Sequence, residues 1–234
     1  MADDPVLLIT GASSGIGAAT AREASTNGYR VVLGARRKKE LDKLARELGG
    51  RERAIARQCD VTDWADVEGL VEAAQSRFGR LDAVFANAGF GGKRGFLEES
   101  VEQWKAMIDT NVLGVALTIR ATLPQFLAQD SGHYVLTSSV AGRRVLPGSL
   151  YSATKWSVSA IGEALRQELR QMHDSERIRV TLIAPGMTDT PFFDERPSKA
   201  LEPDDIARAV TYALSQPAHV DVNEIVVRPS SQAR

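Results

Sequence analysis

Tyr151 and Lys155 stand four residues apart in Tyr151-Ser152-Ala153-Thr154-Lys155, with Ser139 and Asn111 upstream of them. On a helix, residues four apart share a face, so the phenol and the ammonium can enter one cleft. A free phenol titrates near 10, too high for efficient proton transfer at neutral pH, and a nearby cation favours its ionised form. Lys155 in that position would make Tyr151 a usable general acid or base. A Tyr-x-x-x-Lys pair is short enough to arise by chance, so its meaning depends on its surroundings.

The second chemistry-bearing segment is Thr10-Gly11-Ala12-Ser13-Ser14-Gly15-Ile16-Gly17. Val6 to Ile9 before it is an apolar run of buried-strand type, and Ala18 to Ser25 after it favours helix, so the glycines fall on a strand-to-helix turn. Gly11, Ser13, Ser14, Gly15, Ile16 and Gly17 would let a pyrophosphate approach the backbone closely, beside the unpaired N–H groups of a helix N-terminus. The spacing is G-x-x-x-G-x-G, unlike the G-x-G-x-x-G of the long-chain dinucleotide folds. A tight turn without a ligand is the alternative reading of these residues taken alone.

Strand-like runs near residues 6 to 10, 29 to 34, 54 to 59, 81 to 86, 133 to 138, 178 to 184 and 224 to 228 alternate with helical segments, without a linker, a repeat or a low-complexity tract. This alternation predicts an α/β fold: one Rossmann-like, doubly wound parallel sheet of about seven strands over residues 1–234, with helices on both faces. Asn27-Gly28 and Gly79 read as helix ends, Ser100 to Gln103 as a capping box, and Pro203 as the first turn of the last long helix. Every residue named above then falls at the C-terminal end of a strand or on the following helix, the edge where open parallel sheets bind ligands.

The chain resembles the short-chain dehydrogenase/reductase family over almost its whole length. The glycine turn, Asn87-Ala88-Gly89 after a strand, Asn111 in a long helix, Ser138-Ser139-Val140-Ala141-Gly142, Tyr151 with Lys155, and Pro185-Gly186 with Thr190 occur in the family's order. The resemblance implies that Tyr151 gives or takes the proton of the substrate oxygen and that Ser139 polarises that oxygen. It further implies that Lys155 binds the nicotinamide ribose and lowers the tyrosine pKa, and that Asn111 holds a water in the proton relay. Asn87, Ala88, Gly89, Pro185 and Gly186 would line the cofactor, and Thr190 would contact the carboxamide. The commonest family spacing would select Ser138, but alignment on Ser-Val-Ala-Gly selects Ser139, and Ser138 is the fallback.

The second strand runs into Gly34-Ala35-Arg36-Arg37, where Ala35 takes the place of the carboxylate that would bind the ribose hydroxyls of NAD and repel a 2′-phosphate. A guanidinium grips phosphate through parallel hydrogen bonds, so Arg36, with Arg37 as a second contact, points to NADP(H). The competing reading makes Arg36 to Lys39 a solvated helix start, with Leu41, Leu44 and Leu48 on its apolar face. Basic residues there oppose the helix dipole, which favours the ligand-binding reading. By the same resemblance, Asp60 and Val61, after the third strand, would hold the adenine, and Asp60 reads otherwise as a turn carboxylate.

A net charge of −1 with mixed signs gives no basic field for nucleic acid or an anionic membrane. Met1 to Pro5 lacks the blocks of a secretory signal and no uninterrupted apolar stretch is long enough to span a bilayer, so a cytoplasmic protein is expected. The single Cys59 and the scattered His133, His173 and His219 offer no metal-ligand spacing. The expected function is hydride transfer between NADP(H) and a carbonyl or secondary alcohol of a small molecule. A non-catalytic NADP(H)-binding sensor has no need of Asn111, Ser139, Tyr151 and Lys155 together. Dehydratase or epimerase chemistry has no specific support.

The variable substrate lid is expected over residues 187–201, with Phe192 and Phe193, and a compact pocket shared with Phe90, Phe96, Val140 and Leu146. Arg143, Arg144, Arg94 or Lys93 would suit a carboxylate, as in a 3-hydroxy acid or 3-hydroxy amino acid dehydrogenase, and are equally readable as solvated loop residues. By resemblance, the helices of Asn111 and Tyr151 would pair across a two-fold axis in a homodimer or homotetramer, using residues such as Leu113 and Trp156.

Overall fold

The computed structural model describes residues 4–192 and 198–232. Seven strands, β1 (Val6–Thr10), β2 (Arg30–Ala35), β3 (Ala54–Gln58), β4 (Ala83–Ala86), β5 (Gly132–Thr137), β6 (Ile178–Pro185) and β7 (Glu224–Val227), form one sheet in the order β3-β2-β1-β4-β5-β6-β7. All six pairings are parallel, with Leu8 beside Val32 on one flank and Val84 on the other. Among the described residues, seven α-helices cover the sheet: α1 (Gly15–Thr26), α2 (Lys38–Glu47), α3 (Trp64–Phe78), α4 (Val101–Ile108), α5 (Gly114–Gln129), α6 (Leu150–Gln171) and α7 (Pro203–Ser215). The expected doubly wound α/β architecture is the one observed.

The side-chain period of two divides each central strand between two cores. Val6, Leu8, Val32, Val84, Leu136 and Val180 face α3, α5 and α6, represented by Leu70, Ile119 and Val158. Leu7, Ile9, Leu33, Phe85, Val135 and Ile183 face α1, α2 and α7, represented by Ala21, Leu41 and Val210. Both faces are dry, so these strands read as continuous apolar runs instead of alternating ones. Helix ends follow their caps. Ser100 and Gln103 exchange hydrogen bonds in a capping box, Asp63 accepts the Asp66 N–H at 3.1 Å, and Gly79 closes α3 in the left-handed region at φ +71. Leu81 and Asp82, expected in β4, precede it because the Asp82 carboxylate accepts the Val6 N–H at 2.8 Å.

Two expectations change. The helix carrying Asn111 is not continuous: a π turn, Asp109–Leu113, separates α4 from α5. The stretch Val101–Gln129 is also long and apolar enough to cross a bilayer by length and composition. Its apolar side is spent inside the protein, where Val115, Ile119 and Phe126 join the core against the sheet.

At the opposite end of the sheet from the glycine turn, His133 is 2% exposed, with Nε2 at 2.8 Å from the Thr181 hydroxyl and Nδ1 unpaired among the described residues. Burial, assisted by the charge of Arg179, pushes this imidazole down to about 3. The unfolded chain therefore takes up a proton below about pH 6.5 that the folded chain refuses, and stability falls as the pH drops. Denaturant titrations at pH 6.5 and 4.5 should show the wild type losing about 2 kcal/mol more than His133→Gln over that interval. Parallel losses in the two proteins would mean that His133 protonates within the fold.

Candidate active site

The glycine turn is held by contacts that exclude side chains. Gly11 and Gly15 adopt left-handed φ values of +68 and +53. A Cβ on Gly17 would strike the Gly11 carbonyl and come within 2.9 Å of Asn87 Nδ2. Ser14 caps α1 with extended backbone and no side-chain cap, which leaves the first-turn N–H groups facing outward at the positive end of the helix dipole. The Ser13 hydroxyl instead accepts from Arg37 Nε and Nη2 at 3.1 and 2.9 Å, and the Ser14 hydroxyl also accepts from Nη2.

From that turn a polar chain runs across the sheet edge. The Thr10 hydroxyl accepts the backbone N–H groups of Asn87 and Ala88 at 3.0 and 3.1 Å, and Asn87 Nδ2 donates to the Thr10 carbonyl at 3.2 Å. Thr137 donates to Asn87 Oδ1 at 3.2 Å, and the Thr137 carbonyl accepts Lys155 Nζ at 2.8 Å. Ser149, which caps α6 by accepting the Ser152 N–H, sets Tyr151 in the first turn and Lys155 one turn later. Lys155 Nζ lies 5.7 Å from the Tyr151 ring centroid.

Burial of the Tyr151 phenol, only partly offset by the neighbouring Ser139 hydroxyl, pushes it up to about 12, while Ser139 Oγ donates to the Pro185 carbonyl at 3.4 Å and accepts the Ala141 N–H at 3.1 Å. Burial pushes Lys155 down to about 8. Burial, and not the charge of Lys155, sets the direction for Tyr151 in this geometry. Both groups are taken from water, which penalises the charged form of each, and the ammonium is directed at the Thr137 carbonyl. The two serines separate clearly. Ser138 points inward to the Ser159 hydroxyl at 2.8 Å and the Lys155 carbonyl at 3.2 Å, whereas Ser139 faces the phenol.

Asn111 is fully buried at the π turn, and its amide is occupied: Oδ1 accepts the Phe90 N–H at 3.0 Å, while Nδ2 donates to the Phe90 carbonyl at 2.9 Å and the Thr154 hydroxyl at 3.1 Å. Such π insertions are frequent at functional sites because they turn a side chain out of helical register. Here the turned side chain fastens the loop after β4 to α6.

One cavity of about 660 Å³ joins these parts. Every expected site residue lines it except Gly17 and Asn111, which support it from behind. At one end lie the glycine turn, Arg36, Arg37, Asp60 and Val61; at the other, Ser139, Tyr151 and Lys155, with Asn87, Ala88, Gly89, Pro185, Gly186 and Thr190 between. Its size and the open helix N-terminus fit a dinucleotide. Partial burial of Asp60 is outweighed by hydrogen bonds from the Thr62 N–H and hydroxyl and by the charge of Arg36, which together hold the carboxyl below its ordinary value. It is a turn carboxylate that also lines the cavity.

Phe90, Val140, Leu146, Phe192 and Arg94 line the tyrosine end. Arg143 does not: it pairs with Glu224. Arg144 and Lys93 also lie outside the lining, and Phe96 packs edge-on against Trp104 at 5.9 Å. Phe193 falls outside the described residues. Sequence reasoning missed Thr10, Thr137 and Thr154, whose hydroxyls or carbonyls orient the named residues. It also missed Gln232, whose Oε1 accepts the Met187 N–H at 3.0 Å from the far end of the chain.

Residues 5–200 match the family model described as short chain dehydrogenase. The chain belongs to the short-chain dehydrogenase/reductase family. It is 42% identical over 244 residues to an uncharacterised oxidoreductase of Staphylococcus saprophyticus, covering 98% of both chains. An alcohol dehydrogenase from the archaeon Thermococcus sibiricus, complexed with 5-hydroxy-NADP, superimposes with a TM-score of 0.88 at 34% identity, covering 98% of each chain. A 3-ketoacyl-(acyl-carrier-protein) reductase from Brucella melitensis, complexed with NADH, gives 0.86 at 31% identity, covering 95% of this chain and 96% of its own. This dehydrogenase is therefore an oxidoreductase whose structural neighbours bind nicotinamide cofactors of both kinds.

Asn111→Ala should destabilise this dehydrogenase by about 2 kcal/mol, because the Phe90 backbone and the Thr154 hydroxyl lose buried partners. Urea denaturation would measure it, and an unchanged midpoint would show that the Phe90 loop does not depend on Asn111.

Proposed function

We propose that this dehydrogenase transfers hydride between NADP(H) and the carbonyl or secondary alcohol of a small molecule, with Tyr151 as the general acid and base. The observation that carries this reading is the meeting of Ser139, Tyr151 and Lys155 at one end of a cavity whose other end is a phosphate-binding turn flanked by Arg36 and Arg37. When bound, the nicotinamide supplies or accepts the hydride. The protein's part is proton placement and charge stabilisation. A phenol pushed up to about 12 is protonated at neutral pH, so Tyr151 Oη is ready to donate to a carbonyl oxygen as that oxygen gains negative charge. Ser139 Oγ donates a second hydrogen bond to the same oxygen. Lys155 Nζ holds the ribose hydroxyls and, as a cation, offsets the charge that Tyr151 retains after donation. Asn111 holds the Phe90 loop and α6 in register, which keeps this set aligned.

NADP(H) is favoured by Ala35, which puts no carboxylate at the end of β2, and by the exposed Arg36 beside it. Arg37 already grips the two serine hydroxyls of the turn and braces the phosphate-binding loop. Arg36 then grips the 2′-phosphate, while Asp60 and Val61 border the adenine. Reduction is the working direction, in keeping with a protonated tyrosine. Arg94 at the mouth favours a second reading within the same chemistry, a 3-hydroxy acid or 3-hydroxy amino acid substrate with its carboxylate on that guanidinium. The assembly is a cytoplasmic homodimer or homotetramer, supported by the exposed apolar residues Ile108, Leu113 and Trp156 along the α4, α5 and α6 face.

Tyr151→Phe should lower kcat by about 10³ while NADPH affinity, read by fluorescence titration, stays within about twofold. Full turnover by this variant would remove Tyr151 from the chemistry. Arg36→Ala should weaken NADPH roughly tenfold to a hundredfold and NADH hardly at all. Equal losses for the two nucleotides would rule out Arg36 as the 2′-phosphate ligand.

A further inference from the structure

Gly91, in the loop after β4, and Phe192, in the loop after β6, meet above the tyrosine. The Phe192 ring occupies the space that a Cβ on residue 91 would need: such an atom would clash with the ring Cζ and lie 2.7 and 3.1 Å from Cε1 and Cε2. The same ring meets the Tyr151 ring edge-on, with centroids 5.3 Å apart and planes at 64°. Phe192 is held there from several sides. Its N–H donates to the Thr190 hydroxyl at 3.3 Å, and Thr190 stands against Gly15 of the phosphate turn. The base of its loop is closed by Asp189 N–H to the Leu201 carbonyl at 2.8 Å and Leu201 N–H to the Met187 carbonyl at 2.9 Å. Gln232 anchors the Met187 N–H from the C-terminal tail.

We propose that the Gly91–Phe192 contact is the size filter of the substrate site. A carbonyl reaching the Tyr151 hydroxyl meets this ring on one side, and that is the side we assign to its smaller substituent, hydrogen or methyl. Its larger substituent lies on the other side, toward Val140, Leu146 and Arg94. The substrate class is therefore an aldehyde, a methyl ketone or an equally narrow carbonyl. The missing side chain at residue 91 creates the notch, and Phe192 fills it. This inference rests on the reductase reading above for its chemistry, but the contact itself is measurable without turnover.

The test compares wild type, Phe192→Ala, Gly91→Ala and the double variant, with NADPH, on acetophenone and butyrophenone. One methylene at a fitted pocket changes kcat/KM by about 10- to 200-fold. The wild type should accordingly favour the methyl ketone by at least about tenfold. Phe192→Ala should raise the butyrophenone-to-acetophenone ratio of kcat/KM by about tenfold or more. Gly91→Ala should relax the preference when Phe192 is present, by displacing its ring, and add nothing when residue 192 is alanine. An unchanged ketone ratio in Phe192→Ala, or the same effect of Gly91→Ala in both backgrounds, would overturn the proposal.

Ultraviolet titration of tyrosinate, taken as the difference between each protein and its Tyr151→Phe counterpart, is the second readout. Phe192→Ala should let water reach the phenol and move its ionisation to lower pH. If the wild type reduces neither ketone nor a wider aldehyde panel, the reductase reading fails, and with it the filter as a substrate determinant. An unmoved tyrosine titration in an active enzyme overturns the filter alone.

Discussion

Asn87 is the joint on which both ends of the site hang. Its backbone and side chain bind Thr10 at the end of β1, its Oδ1 accepts from Thr137 at the end of β5, and the Thr137 carbonyl receives Lys155 Nζ from α6. Gly17 packs so closely on this amide that it has no room for a side chain. The glycine turn and Lys155 are thus connected by a short run of buried and part-buried hydrogen bonds through three parallel strand ends. Such a network is rigid when every member is satisfied, and costly when one is not. Sheet order makes it possible, because β1, β4 and β5 are neighbours and all end on the same edge. That adjacency also lies next to the switch point where the strand order reverses, the usual crevice for a nucleotide in an open α/β sheet.

Electrostatics at the tyrosine end are governed by desolvation. Tyr151 rises to about 12 and Lys155 falls to about 8 for the same reason: each loses water around its charged form. A buried pair of this kind resists separate ionisation of the phenol in the resting protein. In the proposed reaction, negative charge developing on a substrate oxygen would offer the hydroxyls of Tyr151 and Ser139 an acceptor stronger than any they have within the protein, and low-dielectric surroundings would strengthen that response. A raised tyrosine is thus suited to an acid that holds its proton until the carbonyl oxygen demands it.

The parts of this arrangement legible in the sequence were those written in local patterns. Strand-like runs of five to seven residues located all seven strands, and Ser100, Gly79 and Pro203 marked helix ends, because these signals depend on neighbours close in the chain. The motif order supplied the family and hence the residues that meet in the cavity. What escaped depends on contacts between distant segments. The π turn at Asn111 has no local signature, since it is set by the fit of its amide to Phe90 and Thr154. The direction of the tyrosine shift required knowing how tightly the phenol is packed. Arg143 looked available from the sequence, but Glu224, eighty-one residues later, takes its guanidinium. Gln232 reaches the site only because β7 carries the tail back across the sheet edge.

The division between rigid and adjustable parts follows from the same geometry. The residues proposed to move protons sit just past the end of β5, at Ser139, and on α6, at Tyr151 and Lys155, with Ser139 and Lys155 held by the Pro185 and Thr137 carbonyls. The surfaces proposed to meet the substrate sit on the loops after β4 and β6, held by a handful of hydrogen bonds and one ring seated in a glycine notch. A change at residue 91 or 192 alters the shape presented to a carbonyl without touching the chain from Asn87 to Lys155. A change at Gly17 or Thr137 disturbs that chain whatever the substrate. On the proposed reading, chemistry and selectivity share one sheet edge and are joined there at two points, the Tyr151–Phe192 ring contact and the Asn111 amide that ties the Phe90 loop to α6.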